Sequence, residues 1–532
     1  NYRGITILSC FGKMFTALIN KRLADFSDRY SIILENQAGF RKAYSSMDMV
    51  FLIKNIIDMF LSKSKKLFCA FIDYRTAFDT ISRSDLWIKL LNSGLTGKLM
   101  QLIFNMYQNI KSCVFYNGNK SDYFMSLRGV RQGENLSPFL FSIYVNDLQD
   151  FLAGKGVTPL NFHDDYAAMN YLSIFLLMYA DDTVILSNSH EGLQNALYAL
   201  QTYCESWKLE VNIEKTEVVI FSKRKPVVDN FDFYYLGKRL KVSLEFKYLG
   251  VLLNYNGSFV KCKKYLYDQA SKAMFALLKK ARYLNLPIDI QLELFDATVL
   301  PIMLYGCEVW GVEKLDLPEK LQRKFCKLIL GLKESTPTCV LYGELGRYPV
   351  SCTVKSRLIG FWHKLNTGKE SKLSSCSYKT LLSHYNNSSD KKYPWLKFVH
   401  QTLNYCGMSN IWDQPGSVNN KWLCKAVKLR LTDQFKQEWK TEIFDTDKCF
   451  NYRVYKHDFG FEPYLVQLLS KNMKFLCKFR TLNHKLPVET GRYINIPRNQ
   501  RYCTLCNNNQ LGDEFHFLLE HVECPILSAT RK

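Results

Sequence analysis

Three carboxylates stand out for their surroundings. Asp73 closes the apolar run Leu67-Phe68-Cys69-Ala70-Phe71-Ile72, and Asp181-Asp182 separates the runs Phe175-Leu176-Leu177-Met178-Tyr179-Ala180 and Thr183-Val184-Ile185-Leu186. A carboxylate among apolar neighbours is costly to bury without compensation. A divalent cation is the natural compensation, and Mg²⁺ favours carboxylates plus substrate phosphates. Three acidic groups brought together from two strands can hold two ions, which activate the attacking oxygen and stabilise the leaving one. The chemistry implied is phosphoryl or nucleotidyl transfer. Each Asp taken singly is an ordinary strand-end residue. Asp164-Asp165 is a second double Asp with no buried strand before it and His163 beside it, and reads as loop. A different chemistry sits at the other end of the chain, in Cys503-x2-Cys506, then His516-x4-His521-x2-Cys524. Cys-x2-Cys followed by two spaced ligands is a zinc pattern, with five candidates for four tetrahedral positions. Enough ligands to close the shell make a structural site.

The elements that must position the carboxylates follow from periodicity. Apolar residues recur at helical spacing through Ile7, Leu8, Phe11, Phe15, Leu18 and Ile19, and again through Val50, Phe51, Ile53 and Ile57. A Lys-rich break at 62–66 precedes the buried strand that ends in Asp73. Residues 81–110 read as helical, 111–127 as a hairpin turning at Asn117-Gly118, and 136–153 as an amphipathic helix. Beyond the strands that flank Asp181-Asp182 come a helix at 190–207, a strand at 217–222, a strand pair within 244–260 and a basic helix over 262–284. The last contains Lys263, Lys264, Lys272, Lys279, Lys280 and Arg282. Residues 368–394, rich in Ser, Lys and Asn, read as a loop or linker.

Composition sets the partner and the compartment. Across 532 residues, 71 Lys and Arg stand against 49 Asp and Glu, a net charge of +22 on a chain that is 47% hydrophobic. A folded chain with that balance points to a polyanion, nucleic acid before an acidic membrane. The 17 Cys are mostly scattered, which suits a reducing intracellular setting, nucleus or cytoplasm, rather than a secreted disulfide scaffold. No apolar run is long enough to span a membrane, and no signal peptide is evident. The first residue is Asn1 rather than Met, so a fragment of a longer product is expected. Arg480, Lys485, Arg492, Arg498 and Arg501, with Tyr493 and Tyr502 among them, suit single-stranded nucleic acid.

Six motifs in order resemble the reverse transcriptases of non-LTR (LINE-type) retrotransposons. Tyr179-Ala180-Asp181-Asp182 resembles their catalytic signature, and Phe71-Ile72-Asp73-Tyr74-Arg75-Thr76-Ala77-Phe78-Asp79 their upstream aspartate motif. Arg128-Gly129-Val130-Arg131-Gln132-Gly133-Glu134-Asn135-Leu136-Ser137-Pro138 is similar to the motif between them. Gln37-Ala38-Gly39-Phe40-Arg41 resembles the fingers motif, Asn212-Ile213-Glu214-Lys215-Thr216 the later palm motif, and Phe246-Lys247-Tyr248-Leu249-Gly250 the primer grip. Tyr305-Gly306-Cys307-Glu308-Val309-Trp310-Gly311 looks like the thumb region of the same family. The pair Glu134-Asn135 departs from the more usual Cys-Pro or Asp-Pro.

The resemblance implies an α+β right-hand polymerase, with a palm on an antiparallel sheet, followed by a mostly helical C-terminal region and a small zinc-knuckle-like module. It implies fingers and palm over 1–260, a thumb over 261–335, a helical connector over 336–480 and a basic zinc-binding-like segment over 481–532. Asp73, Asp181 and Asp182 would hold two Mg²⁺ ions, or Mn²⁺, and Lys215 would protonate the leaving pyrophosphate. Phe78 would exclude a 2′-hydroxyl, Gln132 and Gly133 would lie over the incoming nucleotide, and Arg41 would meet the triphosphate or template. Tyr248, Leu249 and Gly250 would grip the primer, and the basic helix would track the duplex. Asp79 would be structural. By the family's spacing Cys503, Cys506, His516 and His521 would take the zinc, with Cys524 the alternative fourth ligand. The implied partners are RNA template, DNA primer or nicked target DNA, and dNTPs. The rival expectation is an inactive or domesticated remnant that binds nucleic acid without polymerising. An intron-encoded maturase fits less well, given the terminal Cys/His cluster.

Overall fold

The computed structural model describes residues 4–162, 172–312, 314–387, 393–446, 449–468, 470–504 and 509–520. Asp164-Asp165, Cys506, His521 and Cys524 lie outside these. The chain divides into two compact units. One comprises Asn1–Cys262 with His363–Lys397, the other Lys263–Trp362 with Phe398–Lys532. The first division falls at Cys262–Lys263, inside the helix Val260–Tyr283. Residues 336–480, read from sequence as one connector, are shared between the two units.

In the first unit, helix α1 (Cys10–Tyr30) and helix α2 (Ser46–Ser62) precede strand β1 (Leu67–Ile72). Ser45 and Asp48 form a reciprocal capping box that starts α2, and the basic break at Lys63 ends it. Strands β2 (Leu176–Tyr179) and β3 (Asp182–Ser187) are followed by helix α3 (His190–Ser206). Strand β4 (Glu217–Phe221), strand β5 (Lys241–Ser243) and the hairpin of β6 (Glu245–Tyr248) and β7 (Val251–Asn254) complete the series. The main sheet runs β5-β4-β1-β3-β2, with every pair antiparallel except β4–β5. The parallel edge pair is a departure from the all-antiparallel sheet expected.

β1 lies at the sheet's centre and is buried along its whole length. Its Phe68, Ala70 and Ile72 enter the main core, with Leu193, Leu197 and Leu200 of α3. Phe71 points to the other face, where Phe246 stacks on it at 4.2 Å and Tyr248 meets it at 5.7 Å. The period-2 pleat thus fixes one face to the helices and the other to the β6–β7 hairpin. The stretch 136–153, read as one helix, is two, Ser137–Tyr144 and Leu148–Gly154.

The Ser-rich stretch read as a linker is helix α4 (Leu373–Asn387), part of the first unit. Three of its four serines are out of solvent. Ser374, Ser375 and Ser377 are buried. Ser374 Oγ donates to Asp48 Oδ1 at 3.1 Å, and Asn55 Nδ2 donates to Ser377 Oγ at 3.1 Å. Small hydroxyl residues allow close approach to α2 and answer its buried polar groups, a use that composition alone does not reveal. Lys372 Nζ meets Asp48 Oδ2 at 2.9 Å, with side chains only 15% and 7% exposed. Asp48→Ala removes this pair and the helix cap together and leaves Lys372 buried without its counter-charge. A loss of about 3–5 kcal/mol is expected in denaturant unfolding of the first unit. A variant as stable as the parent would show that α4 does not brace this unit.

The second unit is mostly helical, including Asp316–Leu330, Thr338–Leu345 and Asn420–Asp445. Trp310 is fully buried and donates from Nε1 to Tyr305 O, so the 305–311 motif is a core anchor. The basic helix runs Val260–Tyr283. Lys264, Lys272, Lys279, Lys280 and Arg282 are exposed on it, whereas Lys263 is buried and donates to Lys314 O at 3.2 Å. Several cations of the 480–501 segment also serve the interior. Arg480 pairs with Glu344 and Glu462, and Arg501 donates to the carbonyls of Ile496 and Val488. Among the described residues no helix is long and apolar enough to cross a membrane.

Candidate active site

The register of the sheet brings the three Asp residues to one end of it. Ile72 pairs with Thr183 and Tyr179 with Asp182. Asp73 therefore leaves the end of β1 beside the β2–β3 turn that carries Asp181 and Asp182. Asp73 and Asp181 line one cavity of about 920 Å³, together with Phe78, Gln132, Gly133, Arg41 and Lys215. Asp73 and Asp182 line a second cavity of about 280 Å³, with Lys215, Phe246 and Tyr248. Sequence residues far apart in the chain thus converge on one strand end.

Asp73 is held by the 212–216 motif. Asn212 Nδ2 donates to Asp73 Oδ2 at 3.1 Å, Thr216 Oγ1 accepts from Asp73 N at 3.2 Å, and Asn212 N donates to Asp73 O at 2.7 Å. Lys215 Nζ lies 3.9 Å from Asp73 Oδ2, is about half exposed and lines both cavities. The sequence motif alone assigns Asn212 and Thr216 no role, and the structure makes them the supports of Asp73.

The β2–β3 turn is held from the opposite side. Ala180 has φ +59°, a conformation a side chain resists. Gln37, fully buried, accepts at Oε1 from Ala180 N and from Gly39 N, each at 3.0 Å, and donates from Nε2 to Ala180 O at 3.4 Å. Ala38 N donates to Met178 O at 3.0 Å and Met178 N to Asn36 O at 2.8 Å. A Cβ on Gly39 would lie 2.2 Å from Ala180 N, so only glycine admits this approach. No role for Gln37 was read from the sequence. The available signal was its place two residues before a glycine in the fingers motif.

The 128–133 loop forms another wall. Val130 N donates to Phe78 O and Gly129 N to Ile81 O, both at 2.8 Å, so the loop and Phe78 are joined. Phe78 is half-buried and stacks on Phe141 at 5.0 Å. Thr6 N donates to Gln132 O at 2.7 Å, and a Cβ on Gly133 would meet Thr6 O at 2.9 Å. The close approach that requires glycine there is to the chain's own backbone, with φ +107° adding to the requirement. Glu134 is buried, accepting from Tyr107 Oη at 2.8 Å and pairing with Arg131. This accounts for the departure from the usual motif as a packed internal ion pair. Arg83, not singled out in the sequence, gathers the loop by donating to Tyr107 O, Ser126 O and Gly129 O.

Two expected contacts are committed inside the protein. The Arg41 guanidinium donates to Leu34 O and Gln37 O, pairs with Glu35 and stacks on Tyr44. Tyr248 is fully buried, and burial together with the nearby Asp182 charge pushes its hydroxyl far above the usual tyrosine range. Leu249 (φ +45°) and Gly250 (φ +85°) form the tight turn beyond it.

Asp73 and Asp181, two carboxylates on one cavity walled by an aromatic ring, are donors of the kind Mg²⁺ takes, with Asp182 on the adjoining cavity. Among the described residues no group of three or more His, Cys, Asp or Glu side chains is spaced to hold a metal ion, and of the zinc candidates only Cys503 and His516 are described. A carboxylate at the end of the central strand and a second at the neighbouring turn, with a loop and a ring beside their shared cavity, are the arrangement that nucleotidyl transfer would require.

Residues 1–253 match the family reverse transcriptase (RNA-dependent DNA polymerase). The probable RNA-directed DNA polymerase from transposon BS of Drosophila melanogaster is 28% identical over 337 residues, 59% of this chain and 34% of that protein. The RNA-directed DNA polymerase from mobile element jockey of Drosophila funebris is 26% identical over 343 residues, 62% of this chain and 36% of that protein. The chain thus spans about a third of the length of these curated relatives. A solved telomerase from Candida albicans, in complex with a fragment of telomeric RNA, has a TM-score of 0.34 and 15% identity, covering 72% of this chain and 58% of its own, a likeness too low to argue from. Residues 1–253 thus carry a reverse transcriptase domain, and the chain is similar to RNA-directed DNA polymerases of non-LTR retrotransposons; reverse transcriptases generally use divalent metals such as Mg²⁺.

Proposed function

We propose that this chain is an RNA-directed DNA polymerase that adds dNTPs to a primer paired with an RNA template. The carrying observation is the convergence of Asp73 and Asp181 on one cavity with Phe78 and Gln132. In this reading the first unit supplies fingers and palm, and the helix from Val260 begins the thumb. Asp73, Asp181 and Asp182 would hold two Mg²⁺ ions, which supply charge neutralisation at the reacting phosphate and activation of the attacking oxygen. Asn212 and Thr216 keep Asp73 turned toward the cavity. Lys215 delivers a proton to the departing pyrophosphate. Gln132 and the 128–133 loop cover the nucleotide, and the Leu249-Gly250 turn, anchored by Tyr248, is the part of the grip left to face the primer. Arg41 reaches a triphosphate only by giving up its contacts to Leu34 and Gln37.

Extension of a DNA primer on an RNA template, with and without Mg²⁺, tests the reading. Mg²⁺-dependent incorporation supports it, whereas salt-sensitive RNA binding with no incorporation would favour a domesticated remnant. Removal of the ring in Phe78→Ala opens room beside the sugar. Selectivity for dNTPs over ribonucleotides is expected to fall about tenfold or more, as differences of a few buried atoms do. Unchanged selectivity would remove the steric role. For the C-terminus we propose structural zinc on Cys503, Cys506, His516 and His521, with Cys524 as the alternative. Metal content of His521→Ala against Cys524→Ala separates the two.

A further inference from the structure

Residues 110–126 form one hairpin that the site above does not use. Lys111–Ser112 pairs with Phe124–Met125, and Phe115–Tyr116 pairs with Asn119–Lys120. Asn117 and Gly118 both have positive φ, 47° and 82°, the two-residue turn that matches strand twist. The side chains are unusual for a ribbon in water. Phe115, Tyr116, Tyr123 and Phe124 are 69%, 74%, 61% and 52% exposed. Contiguous apolar exposure of this kind marks an interaction surface, because a two-stranded ribbon has no core in which to hide such rings.

The accompanying charge narrows the occupant. From Lys111 to Arg128 the bases are Lys111, Lys120 and Arg128, and the only acid is Asp122. Lys120 Nζ lies over the Tyr123 ring at 4.3 Å, so cation and ring share one surface. The centre of a protein–protein interface is depleted in lysine, whereas rings interleaved with cations suit bases and phosphates. The hairpin is also tied to the nucleotide site. Arg83 donates to Ser126 O at its base (2.6 Å) and to Gly129 O in the loop that leads to Gln132 (2.9 Å).

We propose that this hairpin is a stacking platform for the single-stranded RNA template, on which unpaired bases rest against Phe115 and Tyr123 beside Lys120, with Tyr116 offering a ring on the opposite face of the ribbon, while Lys111 and Lys120 meet the phosphates. The inference rests on the reading of the chain as an RNA-templated polymerase. Stacking needs only a base's π-face, so the platform accepts any sequence, as a copying enzyme requires.

The test uses the full chain and a Phe115→Ala/Tyr116→Ala/Tyr123→Ala variant. The replaced rings are exposed, so an unchanged melting temperature is the check on folding. Titration with a fluorescent single-stranded RNA is expected to show an affinity loss of about tenfold or more, with the salt slope retained. The same loss is expected with DNA of that sequence, because stacking does not read the sugar. A Lys111→Ala/Lys120→Ala variant should instead flatten the salt slope. In primer extension the parent should show a lower KM on templates with a long unpaired overhang than on those with one unpaired nucleotide, and the ring variant should lose that preference. Unchanged RNA affinity in the ring variant overturns the proposal. A change only in self-association, read by sedimentation, overturns it in favour of a protein-binding surface. If the parent fails to extend any primer yet the ring variant still loses RNA affinity, the platform stands and the polymerase reading falls.

Discussion

Asp181→Ala is expected to abolish measurable primer extension while leaving RNA affinity intact. Asp181 lines the cavity shared by Asp73, Phe78 and Gln132. Loss of its carboxylate removes a ligand at the point where negative charge builds up during transfer. Such a ligand contributes several kcal/mol to the transition state, on the order of a thousandfold or more in rate. Asp181→Asn keeps the shape and one oxygen but loses the charge, and should be nearly as poor. Asp73→Ala should match it, because Asp73 borders both cavities. Asp182 faces the smaller cavity beside Tyr248, so Asp182→Ala should retain more activity than either. The measurements are single-turnover incorporation and, separately, equilibrium RNA binding. Normal synthesis by Asp181→Ala would end the metal-ligand assignment. Loss of RNA binding in the same variant would show that the turn is structural.

The carboxylates were legible because their setting is local. An apolar run that ends in Asp is visible in one dimension, and a central strand buried on both faces has to read that way. The Asn117-Gly118 hairpin was legible for a similar reason, since two consecutive positive φ values select those residues. What stayed hidden depends on partners distant in sequence. Arg41 looks like a free cation until the carbonyls of Leu34 and Gln37 are brought round to it. Glu134 looks like a changed substrate contact until Tyr107 and Arg131 close over it. Ser374 and Ser377 look like linker residues because serine is counted as polar, yet small hydroxyls are suited to a tight helix contact when Asp48 and Asn55 are opposite. The basic composition was similarly ambiguous. It marks the surface of the Val260–Tyr283 helix correctly at Lys264, Lys279 and Arg282, but Lys263 and Arg480 are held inside.

Gly39→Ala should inactivate the enzyme without unfolding it, and Gln37→Leu should approach the same result by a different route. In Gly39→Ala the new methyl would fall 2.2 Å from Ala180 N and 3.0 Å from Ala180 Cα. These are backbone atoms and cannot rotate away, so either the 37–40 segment lifts off or the catalytic turn shifts. Misplacement of a reacting group by about 1 Å can cost roughly a hundredfold in rate. In Gln37→Leu no clash arises, but the N–H groups of Ala180 and Gly39 lose their acceptor while still buried, at about 1–3 kcal/mol each. With Ala180 already at φ +59°, the turn has a reason to relax once released. Gln37→Glu keeps the acceptor for both N–H groups and gives up the donor to Ala180 O, so it should recover part of the activity that Gln37→Leu loses. The informative readout is the Mg²⁺ concentration for half-maximal rate. A shifted turn moves Asp181 relative to Asp73 and raises that concentration, whereas general destabilisation lowers the melting temperature and leaves it in place. If Gly39→Ala incorporates dNTPs at the parental rate and Mg²⁺ dependence, the fingers segment is a neighbour of the catalytic turn and does not hold it.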